Sequence, residues 1–140
     1  MKKYSILFVL AFVFGTYSFA QDCESLVKTC EEILKGEKKN FISDGQVYTA
    51  FLDREKAEFK TTFFGGSTYR IAVTAGTDDD YVIFTIKDLN GTVLFTNSKY
   101  KNSTYWDFKV PNTVPVVIET ELDQDKRVTG CAVMMIGFKK

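Results

Sequence analysis

From Gln46 to Phe138 apolar residues recur at every second position, in short runs broken by turn-forming residues. An α-helix cannot use that pattern, because its same-face neighbours lie three and four residues apart. In a strand, alternation by two sends one set of side chains to each face of a sheet. The runs are Gln46 to Leu52, Lys56 to Phe63, Thr68 to Ala75, Tyr81 to Lys87, Thr92 to Thr96, Tyr105 to Val110, Val116 to Leu122 and Cys131 to Phe138. The stretches between them, "DRE", "GGS", "GTDDD", "LNG" and "DQDKR", are rich in residues that favour turns. Strands of this number and length predict an antiparallel β-sandwich. Asn90-Gly91 is the sharpest local signal, since that pair tolerates the positive φ angles of a tight hairpin. Pro111 and Pro115 are expected to bracket a turn, where a missing N–H costs little.

Ahead of the strands the period changes. In "DCESLVKTCEEILKG" the residues Leu26, Val27, Cys30, Ile33 and Leu34 fall on one helical stripe, with Cys23 beside them and Glu24, Lys28, Glu31 and Lys35 opposite. Asp22 suits the N-cap and Gly36 the positive-φ position after the last turn. The last strand supplies a surface for this stripe. In "TGCAVMMIGFKK" Ala132, Met134, Ile136 and Phe138 share one face, and Cys131, Val133 and Met135 share the other. If the first set fills the space between two sheets, the second needs cover from outside, and the helix is the unclaimed apolar surface.

Residues 1–20 read as a secretory signal peptide: Lys2 and Lys3, an apolar run from Ile6 to Phe14, then Ser18 and Ala20 before a cut preceding Gln21. The apolar run is shorter than the roughly 20 residues of a membrane span. Cys23 follows Gln21 and Asp22 and not a lipoprotein box, so no membrane anchor is expected after removal of the leader. The organisation expected is a signal peptide at 1–20, the amphipathic helix at 21–37 and a sandwich at 38–140, with helix and sandwich as one unit. The location expected is periplasmic or extracellular.

The chain has 18 basic and 18 acidic residues. Two of the basic ones lie in the leader, so the remainder carries a net charge near −2. Without a basic excess, nucleic acid is not an expected partner.

Three cysteines in an exported chain are disulfide candidates. Cys23 and Cys30 are seven residues apart, roughly 10 Å along a helix. Disulfide Cα atoms sit about 4.4 to 6.8 Å apart, so these two cannot pair while the helix is formed. Cys131 takes one of them or stays free. Cys30, in the middle of the stripe, is the expected partner, and Cys23, at the first turn, is the alternative. With no histidine anywhere and no C-x-x-C pair, a metal reading of the cysteines has little support.

The same absence of histidine excludes Ser-His and Cys-His nucleophile pairs. A pair of carboxylates remains open as chemistry, but a domain of about 120 residues with one core has little room for a deep cleft. Asp78, Asp79 and Asp80 offer oxygen to a cation such as Ca²⁺, although the spacing of a calcium loop is missing and aspartates of a solvated turn look the same. The stretch "SKYKNSTYWDF" gathers aromatic and polar groups of the kind that stack on and hydrogen-bond a sugar or peptide. Trp106, Phe108 and Val110 alternate as a core face. Tyr105 and Asp107 then point outward and join Tyr100 and Asn102 as candidate ligand-binding residues. Arg70 alternates with Tyr69 and Ile71, and is expected outside the core as a solvated or cross-strand paired charge.

The order of motifs resembles one known family. "AEFKTTFFGGSTYRIAV", "DYVIFTIKDLNGTVLF" and "YWDFKVPNTVPVVIETEL" follow the succession of bacterial pre-peptidase C-terminal (PPC) domains: a glycine turn before Y-x-I-x-V, a strand ending in D-x-x-G-x-x-L, an aromatic strand and a paired I-x-V strand. Val114 and Pro115 stand where those domains carry Gly-Tyr. With its helix included, the chain is also similar to small secreted Bacteroidetes proteins marked by "DGQ", "GGSTYRIA", "YWDF" and "GCAVMMIGF". These resemblances imply an eight-stranded antiparallel sandwich, PPC-like or jelly-roll-like, with one N-terminal helix on the outer face of a sheet. They bring no activity and no cofactor. The expected function is a non-enzymatic binding or accessory module for a glycan or an envelope protein. An assembly protein of the cell envelope is the second reading, and a small carboxylate hydrolase the third.

Overall fold

The computed structural model describes residues 23–76 and 81–140. The predicted signal peptide, the N-cap candidate Asp22 and the aspartates Asp78, Asp79 and Asp80 lie outside the described residues.

Among the described residues one helix, α1 (Glu24–Lys35), precedes eight strands: β1 (Phe41–Asp53), β2 (Ala57–Phe63), β3 (Ser67–Thr74), β4 (Val82–Lys87), β5 (Val93–Thr96), β6 (Tyr105–Val110), β7 (Val114–Leu122) and β8 (Thr129–Lys139). A short 3₁₀ turn, Asn97–Tyr100, follows β5. The strands form two four-stranded sheets, ordered β1-β8-β3-β6 and β2-β7-β4-β5, with every pairing antiparallel. The pairs β1 with β8, β2 with β7, β3 with β6 and β4 with β5 are nested, as in one long hairpin rolled up. This is the jelly-roll arrangement.

The bend of that long hairpin is the β4 to β5 connection, where Asn90-Gly91 lies. It differs from a two-residue turn. Asp88 Oδ1 accepts from the N–H groups of both Asn90 and Thr92, at 2.9 Å each, and only Gly91, with φ of 84°, takes a positive φ there. Pro115 also differs from expectation, since it lies within β7, opposite Thr62 of β2. The pairing of β7 with β4 begins only at Val117, so the missing N–H falls where β4 no longer runs alongside.

Between the sheets, alternate residues from both inner faces form the main core, with Ile71, Phe84, Ile118 and Met134 each 3% exposed or less. β8 is buried on both faces from Gly130 to Gly137. Its outer face meets α1 in a second cluster made of Cys30, Leu34, Ala72, Val133 and Met135. Phe138, at the strand end, is 38% exposed and does not complete the inner row.

The disulfide corrects the expected pairing. Cys23 is bonded to Cys131, with Cα atoms 5.5 Å apart, and Cys30 is a buried free thiol. The reason is the direction of α1 over β8. Cys23 sits over Cys131, the Cys30 thiol reaches the carbonyls of Ala72 and Val133 at 3.3 and 3.7 Å, and Leu34 packs at Gly137. Seven helical residues advance roughly 10 Å, the length of roughly three strand residues. With Cys23 fixed at Cys131, Cys30 is carried past it along β8. The bridge spans 108 residues, and the chain-entropy model gives about 4 to 5 kcal/mol for a loop of that size.

At the far end of α1 the helix approaches the sheet closely. A Cβ on Gly137 would lie 2.7 Å from the carbonyl oxygen of Ile42 and 3.0 Å from Leu34 Cδ1. A glycine therefore gives Leu34 its seat.

Candidate functional site

Where α1 ends, the outer face of the first sheet carries a cleft of about 850 Å³, lined among others by Phe41, Thr68, Arg70, Thr104, Tyr105 and Asp107. Arg70, Asp107 and Tyr105 arrive by strand alternation. Tyr69, Ile71 and Val73 of β3 enter the core, so Arg70 faces outward. β6 pairs Asp107 with Arg70 directly, and Tyr105 lies two residues away on the same face. The start of β1 contributes Phe41, and the last turn of α1 closes the top.

Arg70 organises the cleft. Its Nε and Nη2 donate to Oδ1 and Oδ2 of Asp107 at 2.7 and 2.9 Å, a two-pronged pairing that uses the planar fork of the guanidinium. Nη1 lies 3.4 Å from the carbonyl oxygens of both Ile33 and Leu34, which have no acceptor role left within the helix. A cation there also complements the negative end of the helix. The guanidinium carbon stands 4.1 Å from the ring centre of Phe41 and 4.4 Å from that of Tyr105, so aromatic rings flank the charge. Hydrogen bonding to Asp107 raises the guanidinium's pKa above its ordinary value. Gly36 permits the approach: its φ is 64°, and a Cβ there would fall 2.5 Å from Nη1.

Around this centre the charges nearly balance. Lys38, Lys39, Arg70 and Lys139 face Glu32, Glu37 and Asp107. Tyr105 keeps 44% of its surface exposed while Arg70 holds its position. The arrangement presents a fixed ring among hydroxyls, amides and balanced charges. Asp107 is committed to Arg70, so it is not poised as a free general base.

The four residues singled out in sequence separate in the structure. Tyr105 and Asp107 share the cleft. Tyr100 lies elsewhere, its ring 4.3 Å from Trp106 and 5.7 Å from Phe95, in an aromatic group at the open side of the sandwich between β5 and β6. Asn102 is not a surface amide. It is 6% exposed, adopts a φ of 51°, and donates to Asp123 Oδ2 at 2.8 Å, tying the loop before β6 to the loop after β7. Phe41, Thr68 and the end of α1 were not singled out. The pairing of outward Arg70 with outward Asp107 is the signal that points to them, and it becomes visible only once β3 and β6 are known to be neighbours.

Two smaller grooves mark the open sides of the sandwich, about 320 Å³ beside Tyr48 and Phe59, and about 300 Å³ beside Leu94 and Phe108. Both are poorer in convergent polar groups than the helix-end cleft. Among the described residues no cluster of three or more potential metal ligands occurs, and no helix is long and apolar enough to cross a membrane. The chain matches no protein-family model and no curated protein sequence.

Proposed function

We propose that this chain is an exported, non-enzymatic binding module, and that the cleft at the end of α1 takes a neutral, polyhydroxylated ligand such as a short oligosaccharide. Tyr105 carries the proposal: a half-exposed aromatic ring, held in place by Arg70 and bordered by Thr68, Thr104 and Asp107. Sugar rings stack on such platforms through their apolar faces and hydrogen-bond the polar rim. The near balance of cationic and acidic side chains favours a neutral ligand over a polyanion. Export is supported by the leader-like N-terminus and by the disulfide, which persists in oxidising compartments. The PPC-like succession of motifs adds an analogy of fold.

The test is calorimetric titration with a panel of neutral oligosaccharides, comparing the native protein with Tyr105→Ala. Binding by the native protein and at least a tenfold weaker affinity in Tyr105→Ala are expected. Absence of heat across the panel, with an unchanged melting temperature, would contradict the assignment, as would binding that Tyr105→Ala leaves intact.

A further inference from the structure

Among the described residues the sandwich has four edge strands, and three are guarded. β2 carries exposed Glu58 and Lys60, β6 carries exposed Asp107 and Lys109, and β5 has only four residues. Charged side chains and short length are the usual ways a sheet edge is kept from pairing with another chain. β1 differs. From Gln46 to Leu52, "QVYTAFL", it runs seven residues without a charge, a proline or a glycine. Its one strand neighbour among the described residues is β8, and Val47 and Phe51 on its outer face are 43% and 55% exposed.

The residues of this edge complement themselves. In an antiparallel pairing of two copies about a two-fold axis through Thr49, Val47 of each copy stands opposite Phe51 of the other, and Thr49 meets Thr49. On the inner face Tyr48 meets Ala50. An aromatic residue opposite a β-branched one is a favourable cross-strand pair, and paired threonines are another. The bulge between Ser43 and Val47 ends the straight run at one side, and Arg54, with a φ of 57°, ends it at the other. Both features limit pairing to the complementary segment.

We infer that β1 is a self-association edge, through which two copies join their first sheets into one eight-stranded sheet about an axis at Thr49. The contact is isologous, so it closes at two copies. The edges left at the ends of the joined sheet are the guarded β6 strands. A contact through one strand edge belongs with the small, weak class of interfaces. The inference is independent of the ligand proposed for the cleft, which lies at the opposite end of α1 from the disulfide beside Phe51.

Sedimentation equilibrium of the purified protein from 1 to 200 μM tests it, together with Thr49→Lys and Thr49→Cys. The native protein is expected to shift toward twice the chain mass. Thr49→Lys places like charges opposite each other at the axis and should stay monomeric with an unchanged melting temperature. Thr49→Cys should form a covalent dimer on mild oxidation, whereas Tyr48→Cys, which faces Ala50, should not. A monomeric native protein at 200 μM, a dimer untouched by Thr49→Lys, or equal cross-linking at positions 48 and 49 would each overturn the inference.

Discussion

Arg70 and Asp107 sit directly opposite each other on β3 and β6 and are joined by two parallel hydrogen bonds of 2.7 and 2.9 Å. Here the same guanidinium also reaches the last carbonyls of α1 and lies against Phe41 and Tyr105. The helix is thus fixed at both ends, covalently at Cys23 and through Arg70 at the other. The cleft exists because the second fixture holds the helix end beside the sheet.

Arg70→Ala is therefore expected to cost more than a surface ion pair. The arginine side chain is only 11% exposed, and its removal leaves Asp107 and two helix carbonyls without their donor. A loss of about 2 to 3 kcal/mol in urea unfolding is expected. Arg70→Lys should recover less than half of it, because an ammonium keeps the charge but cannot span both carboxylate oxygens and stack between rings. A lysine variant as stable as the native protein would show that charge alone is used.

Burial pushes the Cys30 thiol up to about 12, despite a backbone hydrogen bond that acts the other way. At pH 8 the thiolate fraction is then on the order of one part in 10,000. Iodoacetamide is expected to leave Cys30 unmodified in the folded protein over an hour and to alkylate it fully in denaturant. Mass spectrometry before and after unfolding reads the outcome directly. Rapid modification of the native protein would mean that α1 lifts from β8.

On the outer face of the second sheet, Glu119 takes a hydrogen bond from Lys87 and a longer ion pair, 3.6 Å, from Lys56. The Lys87 contact holds its carboxyl below the usual value of 4.5. Because the folded value is lowered, the stabilisation is complete above the unfolded pKa and disappears as pH falls through the folded one. Glu119→Gln is expected to be less stable than the native protein by about 1 kcal/mol at pH 7, with the gap closing as the pH is lowered toward 2. Urea unfolding at the two pH values measures the difference. A gap that persists at pH 2 would assign the effect to packing.

Much of the strand pattern was legible because a half-buried sheet writes its faces into alternate residues, and the boundaries of β2, β3, β4 and β6 depart from expectation by one residue or so. The first part of β1 was hidden: the expected strand begins at Gln46, whereas β1 begins at Phe41 and carries a bulge between Ser43 and Val47. The covering of β8 by α1 followed from apolar residues on both faces of "CAVMMIG". The partner of Cys131 did not follow, because both candidates lie on the same stripe and only the direction of the helix across β8 separates them. The cleft was half legible for a similar reason. Tyr105 and Asp107 declare themselves as outward residues of an aromatic strand, whereas their meeting with Arg70 and Phe41 depends on which strands are neighbours. Asn102 is a candidate ligand-binding residue in the sequence, yet its backbone is left-handed and its side chain donates to Asp123.

The disulfide tests the central claim, that α1 runs along β8 in one direction and is fixed at both ends. Lys28 lies between Cys23 and Cys30, so trypsin separates the two candidate cysteines into different peptides. Digestion of the non-reduced protein followed by mass spectrometry should find the peptide that contains Cys131 linked to the one ending in Lys28, with residues 29–35 recovered as a free thiol. Linkage of Cys131 to residues 29–35 would contradict the account, because it requires the helix to slide along β8 by seven residues.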